Sequence, residues 1–432
     1  MEFELRDPIH KRITFDEFER LVIDHPFFQR LRFIKQLSFL QSYVYPGGVH
    51  DRFSHCLGAF HVAKRMYGQF VVASGVLRKR LSAEEIDHLG RRVRLAGMLH
   101  DIGHGPFSHA SESVFPMFDQ LPLKRGWWKE LPDRQAKHED YSVLLIQTLA
   151  EEGLFDEDFA QDICSLIHGG VKPSRWFERL EEKAPTIQSI CKAIISGEVD
   201  CDRMDYLLRD SYYCGVAYGQ YDLDWLISSM SVAEVDGRLV FSISENGVRA
   251  FEDVLLARYH MIDQVYFHKT KAGFTHCLEQ AINEKEISLE IPTDPYAYGD
   301  LRDGLVIERM FHAAKDEKNY WSYQLMHRLP PKRILRLQNG NLKDMALLEK
   351  IQRASEEHGV RFFTHSASNE LTHFGEGSDV DTLIYVAKKT LTGVEYVPIY
   401  QYSDLLQKYN EKLNFTDFFV YREDAKKFRE LF

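Results

Sequence analysis

Three strings constrain this 432-residue chain more than anything else in it: H-D-R-F-S-H ending at His55, L-H-D-I-G-H-G-P-F-S-H from Leu99 to His109, and D-C-D-R-M-D-Y from Asp200 to Tyr206. A lone histidine is most often a core or surface residue with a satisfied hydrogen bond. His55, the adjacent pair His100 and Asp101, and Asp202 together are a different matter. Two imidazoles and two carboxylates make a nitrogen/oxygen donor set suited to a divalent ion of the Mn, Fe, Co, Ni or Zn kind. A fold that uses them jointly must carry the chain from residue 55 to residue 202 and back to one point. With coordination positions left open, such a set polarises a phosphate and acidifies a bound water.

The rest of the composition bounds what surrounds that point. With 44% hydrophobic and 28% charged residues the chain reads as globular with a real core. At roughly 150 residues per domain, two or three units are expected. The net charge of −11 excludes general attraction to nucleic acid or anionic membrane. An anionic ligand therefore needs locally placed positive charge. Six cysteines without a C-x-x-C pair read as reduced thiols. The first residues lack a basic-then-apolar leader, and no apolar run reaches the roughly 18 residues a membrane span needs. A cytoplasmic protein with no membrane partner is expected.

Most of the first 280 residues carry helical periodicity. Ser82 and Glu85 form a capping box, and the helix they start runs to His100, where Gly103 and Gly105 break it. A second helix is expected over 137–150, with His138 and Glu139 in its first turn. A third covers 186–209, broken near Gly197, and puts Asp202, Asp205, Tyr206 and Arg209 on one face. Arg52 and His55 share a face of a helix starting near Asp51. After residue 285 the pattern changes to an extended linker over 286–295, helix over 301–329, and strands over 333–338, 381–386 and 394–399, with a closing helix over 403–412.

With H-D-I-G-H-G-P-F-S-H and D-R-M-D-Y-L-L-R-D in order, and with D-P-I-H, F-Q-R-L-R and I-K-Q-L upstream, the first 280 residues resemble the HD-domain metal-dependent phosphohydrolases. The branch they resemble is the deoxynucleoside triphosphate triphosphohydrolases, which includes the SAM-and-HD-domain protein and bacterial dGTPase-like enzymes. The resemblance implies a helical HD-domain core over 1–285; the residue pattern beyond it suggests a helical extension and linker over 286–345 and a small α/β C-terminal appendage over 346–432, so a mostly α fold is expected. It implies His55, His100, Asp101 and Asp202 as metal ligands, with Mg as a further ion on the substrate phosphates. His138 with Glu139 matches the catalytic histidine and its acidic partner, and His104 and His109 match loop histidines near the phosphates. Gln36, Arg52, Arg203, Tyr206, Asp210, Tyr266 and Lys269 match substrate contacts. Arg52 and Arg203 would hold phosphates, since guanidinium offers forked donors; Tyr206, Asp210, Tyr266 and Gln36 would hold the sugar. The implied reaction releases deoxynucleoside and inorganic triphosphate from a dNTP, in a homo-oligomer, dimer or tetramer.

Departures from the pattern are visible too. Arg203 stands where the family often has Lys. Asp24, Gln29 and Arg32 match a second, activating nucleotide site, but Phe3 replaces its phosphate-binding Lys, and a SAM domain ahead of the core is not expected. Gly375 to Asp381 (G-E-G-S-D-V-D) carries the Gly-Ser and Asp-x-Asp pieces of a nucleotidyltransferase without the spacer between them, and reads as a solvated loop. No G-x-x-x-x-G-K-[ST] loop and no H-E-x-x-H motif occurs. The alternatives left by the residues are an HD-type phosphodiesterase or nucleotidase on other nucleotides, and a nucleic-acid-binding regulatory protein. The acidic charge and the lack of a long basic tract stand against the latter.

Overall fold

The structure is a computed structural model, and it describes residues 2–369, 384–408 and 413–432. At its centre is the helix Arg52–Ser74, started by Asp51, whose side chain accepts from the Ser54 amide at 2.9 Å. Cys56, Ala59, Phe60, Val62, Ala63 and Met66 on it are all fully buried, so this helix has no solvent stripe along its first half. It packs against the helices Ala83–Leu99 and Cys201–Cys214. Its Gly58 is there for close approach. A Cβ at that position would lie 1.8 Å from Asp205 Oδ1 and 2.5 Å from Arg209 Nη2.

The expected helix ends hold. Ser82 and Glu85 make both capping-box bonds, and the helix stops at Leu99, leaving His100 as its C-cap. The 186–209 segment is two helices, Ile187–Ser196 and Cys201–Cys214, with Asp200 capping the second by accepting from the Arg203 amide at 2.7 Å. His138 opens the helix His138–Glu151.

Strands enter earlier than the helical periodicity suggested. Strands β1 (Phe3–Asp7) and β2 (Lys11–Phe15) form an N-terminal hairpin, and β3 (Met230–Val235) and β4 (Arg238–Ser244) a second one. The second was signalled by Asp236-Gly237, both at positive φ (49° and 79°), between alternating apolar runs. Further on, β5 (Lys332–Gln338), β6 (Phe362–Asn369), β7 (Ile384–Thr390), β8 (Gly393–Pro398) and β9 (Leu413–Val420) complete two sheets. Their orders are β3-β4-β7-β8 and β5-β9-β6. The β4–β7 pairing is parallel, so a late strand is tied to the β3–β4 hairpin, and β5 pairs with β9 across residue 345. The extended helix expected over 301–329 is the pair Asp303–Ala313 and Tyr320–Met326. The 403–412 helix is described over Asp404–Lys408. The string Gly375 to Asp381 lies outside the described residues.

Residues after 300 also hold the loop that follows His100 and Asp101. The buried Asp303 carboxylate accepts from the Lys35 and Phe107 amides, each at 2.8 Å. The buried Arg30 guanidinium donates to the carbonyls of Ile102 (2.9 Å), His104 (2.7 Å) and Leu301 (3.2 Å). The loop needs this hold, because Phe107 and Ser108 both adopt left-handed backbone (φ 60° and 54°), unfavourable for residues with a Cβ. Asp303→Ala leaves the buried Phe107 amide and the half-buried Lys35 amide without an acceptor, a buried one costing about 1–3 kcal/mol. We expect a loss of at least about 2 kcal/mol in urea unfolding; an unchanged midpoint contradicts this role.

Candidate metal centre and nucleotide cavity

His55, His100, Asp101 and Asp202 converge, with one ligand atom from each within 4.8 Å of all the others. His55 Nε2 lies 3.0 Å from Asp202 Oδ1 and 3.7 Å from Asp101 Oδ2, and His100 Nε2 lies 3.3 Å from Asp202 Oδ1. Both Nε2 atoms are buried and lack a hydrogen-bond partner. That suits a cation between them, because the other ring nitrogens are already committed. His55 Nδ1 bonds Asp205 Oδ2 at 2.8 Å, and His100 Nδ1 bonds the Gly97 carbonyl at 2.9 Å. Since carboxylates and carbonyls only accept, each Nδ1 carries the proton and each Nε2 presents its lone pair. The donor set therefore fits a divalent ion.

The electrostatics demand positive charge at the same place. Burial pulls the His55 imidazole down, but the neighbouring Asp202 and Asp205 carboxylates outweigh it and raise its pKa to about 10. Burial pushes Asp101 and Asp202 up, yet neighbouring positive groups hold both carboxyls below the usual range. For Asp101 these are His100 and Arg52, whose Nη1 bonds its Oδ2.

Asp205 was read from the sequence only as a member of a helix face; the structure makes it the hub behind the site. It is fully buried, and its two oxygens accept from His10 Nε2 (2.6 Å), His55 Nδ1 (2.8 Å), Arg209 Nε (2.8 Å) and Arg209 Nη2 (2.8 Å). Arg209 Nη1 also reaches Asp7 Oδ2 at 2.8 Å, while Asp7 Oδ1 accepts from the His10 amide at 2.8 Å. The turn of the N-terminal hairpin is thereby bonded to the carboxylate that orients His55. The upstream D-P-I-H string was the available signal for it.

Beside the quartet opens a cavity of about 510 Å³. Gln36, Arg52, Asp101, His104, His138, Asp202, Tyr206, Asp210 and Tyr266 line it, which brings together most of the expected substrate and catalytic residues. Arg52 is steered by Ser108, whose hydroxyl accepts from Nε at 3.1 Å and Nη2 at 3.0 Å. His104 and His138 stack at 3.7 Å between ring centres. Burial, Arg52 and His138 keep the His104 imidazole well below its ordinary value. Asp210 accepts from Tyr266 Oη at 2.7 Å and pairs with His50 Nε2 at 2.7 Å. Tyr266 closes a single π-helical turn, Ile262–Tyr266, a distortion common at functional sites.

Three expectations need correcting. The near acidic partner of His138 is Glu112, at 2.5 Å from Nδ1, whereas Glu139 stands 3.5 Å away. Arg203 does not line the cavity; its Nη1 donates to the Glu198 carbonyl at 3.1 Å, and Asp200 lies 3.6 Å from its Nε. Lys269 is exposed at the helix start, and Lys271, two residues on, lines the cavity instead. The expected activator residues sit outside the cavity. Asp24 is exposed, Gln29 bonds the Ile23 carbonyl, and Arg32 bonds Gln29 and lies 3.5 Å over the Phe53 ring. His109 falls on the turn Ser108–Val114, and its side chain lies outside the described residues.

The model of the HD domain matches residues 52–209, and that of the HD associated region matches residues 221–357. The chain thus carries an HD domain followed by its associated region. An uncharacterized protein of Methanocaldococcus jannaschii is 35% identical over 266 residues, 62% of this chain and 46% of the relative. Deoxynucleoside triphosphate triphosphohydrolase SAMHD1 of Homo sapiens is 29% identical over 340 residues, 71% of this chain and 50% of the relative. This chain spans about half the length of these curated relatives. A hypothetical protein from Aquifex aeolicus matches in structure with a TM-score of 0.73 and 27% identity, covering 100% of both chains. A phosphohydrolase from Bacteroides thetaiotaomicron shares the fold at a TM-score of 0.68 and 23% identity, over 98% of this chain and all of that one. Among the described residues no helix is long and apolar enough to cross a membrane.

The HD-domain geometry makes a direct expectation about Asp205. Asp205→Asn keeps the shape but removes one acceptor oxygen from four donors, freeing the His55 ring to turn. Loss of such an orienting group typically weakens metal binding about 10- to 100-fold. Metal titration of the folded variant checks this; wild-type affinity would refute the orienting role.

Proposed function

We propose that this HD-domain protein is a metal-dependent triphosphohydrolase that cleaves deoxynucleoside triphosphates to deoxynucleoside and inorganic triphosphate. The observation that carries the reading is one continuous cavity lined both by Asp101 and Asp202 of the metal quartet and by Tyr206, Asp210 and Tyr266. The human relative, named a deoxynucleoside triphosphate triphosphohydrolase, supports the same substrate class.

A divalent cation held by His55, His100, Asp101 and Asp202 supplies Lewis-acid polarisation of a phosphoryl oxygen when bound. The chain's own groups do the rest. Arg52, its guanidinium aligned by Ser108 and Asp101, donates to phosphate oxygens. His138, its ring fixed by Glu112, carries a proton to the 5′-oxygen that departs as water adds to the α-phosphorus. Stacked on it, His104 stays neutral and limits how far the His138 ring can turn. Asp210 has two bonded oxygens, but a carboxylate has about four acceptor positions, so it can still take a sugar hydroxyl. The edge of Tyr206, set by its contact with Tyr266 at 5.9 Å between ring centres, forms the wall against the sugar.

Protein loaded in turn with Mn, Fe, Co, Ni and Mg is expected to release triphosphate from at least one dNTP, alone or in mixtures with other nucleotides. His55→Ala or Asp101→Ala should abolish both bound metal and turnover. Phosphodiester or monophosphate hydrolysis without triphosphate release would move the assignment to an HD phosphodiesterase or nucleotidase. The two acidic neighbours of His138 separate in the same assay. Glu112→Gln should lower kcat about 10-fold or more, in the range of lost acid–base support, and Glu139→Gln should cost less. The reverse order would return Glu139 to the role.

A further inference from the structure

The helix Lys269–Asn283 forms one wall of the cavity. Lys271, Thr275 and Glu279 on it are spaced i, i+4 and i+8, and all three line the cavity, so a single polar stripe faces the substrate space. Neither charged end has an ion pair or a side-chain hydrogen bond among the described residues. The two cannot satisfy each other directly along the helix, because eight residues advance about 12 Å. The buried charges behind the metal quartet, by contrast, are paired, Arg209 with Asp205 at 2.8 Å. Burial pushes the Glu279 carboxyl up and the Lys271 ammonium down, with Asp210 offsetting only part of the effect on Lys271. Uncompensated charge in a cavity wall costs free energy that a complementary ligand recovers. His365, reaching the same cavity from β6, adds a buried Nδ1 with no partner.

The stripe's position limits what that ligand is. Asp202, Tyr206 and Asp210 lie at i, i+4 and i+8 on the helix Cys201–Cys214, so they run from the metal end of the cavity to the sugar wall. Asp210 is the acidic group that bears on the Lys271 charge, which places the start of the stripe next to that wall. The group attached to the sugar there is the nucleobase.

We propose that Lys271, Thr275 and Glu279 read the base, and that the base they fit is guanine. The inference rests on the nucleotide reading above. Lys271 calls for an acceptor and Glu279 for N–H donors. Guanine offers O6 and N7 as acceptors, and its adjacent N1–H and N2–H2 donors suit a carboxylate in a two-bond arrangement. Adenine, cytosine and thymine lack that donor pair beside a carbonyl. Thr275, between the two, provides a hydroxyl that donates or accepts.

The test uses the full metal-loaded chain and two readouts: turnover of the four dNTPs, and calorimetric binding of dGMP, dAMP, dCMP and dTMP. Wild type should favour guanine in both. Glu279→Gln should lower the guanine-to-adenine ratio about tenfold, the size of one good base contact, and Lys271→Met should lower it in the same direction. A wild-type protein without guanine preference in either readout overturns the proposal, as do variants that reduce all four nucleotides equally. If no dNTP is hydrolysed, the triphosphohydrolase reading fails, while the monophosphate binding ratios still decide the base reading.

Discussion

Asp205 accepts four hydrogen bonds in a place where water does not reach, and the site is organised around that fact. A buried carboxylate is tolerated only when it is fully hydrogen-bonded and its charge is answered. Arg209 answers the charge, and His10 and His55 complete the acceptor positions. The bond from His55 Nδ1 then decides which nitrogen faces the metal position. The arrangement also explains Gly58, since any side chain there would occupy the space of the carboxylate. The N-terminal hairpin, far from the metal in sequence, thus becomes part of the centre's support through His10 and Asp7.

The polyanionic substrate proposed for this acidic chain requires positive charge placed locally at the site. Arg52 lies against Asp101, and the quartet's carboxylates draw a cation to the same end of the cavity. The later part of the chain takes part as well. Asp303 holds the strained Phe107–Ser108 backbone, and that backbone puts the Ser108 hydroxyl under the Arg52 guanidinium. Residues remote from the metal in sequence therefore bear on the phosphate end through a short series of bonds.

How much was legible in the sequence follows from where the information sits. The quartet, the capping box at Ser82 and the cap at Asp51 are local strings, and a local string fixes both the helix and the face. Tyr206 shared a helix face with Asp202 by its i, i+4 spacing, whereas Asp210 came only from the family resemblance. The misassignments have a different origin. Arg203 is one position from Asp202, which on a helix turns it about 100° away, toward Glu198 and Asp200. Lys269 and Lys271 are two positions apart, close to opposite faces, and matching a motif does not say which faces the cavity. Glu112 reaches His138 from a 3-10 turn 26 residues earlier in the chain, a pairing that only the tertiary fold creates. The early strands were missed because helical periodicity was read across them, although Asp236-Gly237 was a sound hairpin signal.

The central claim is that His55 and His100, held by Asp205 and by the Gly97 carbonyl, bind one metal ion together with Asp101 and Asp202. An anomalous-difference map from crystals of the Mn- or Fe-loaded protein tests it most directly. The account predicts one strong peak at ordinary bonding distance, about 2.0–2.2 Å, from the Nε2 atoms of both histidines and from an oxygen of each carboxylate. A peak bound through either Nδ1, or lying at another cluster with the quartet empty, would contradict it.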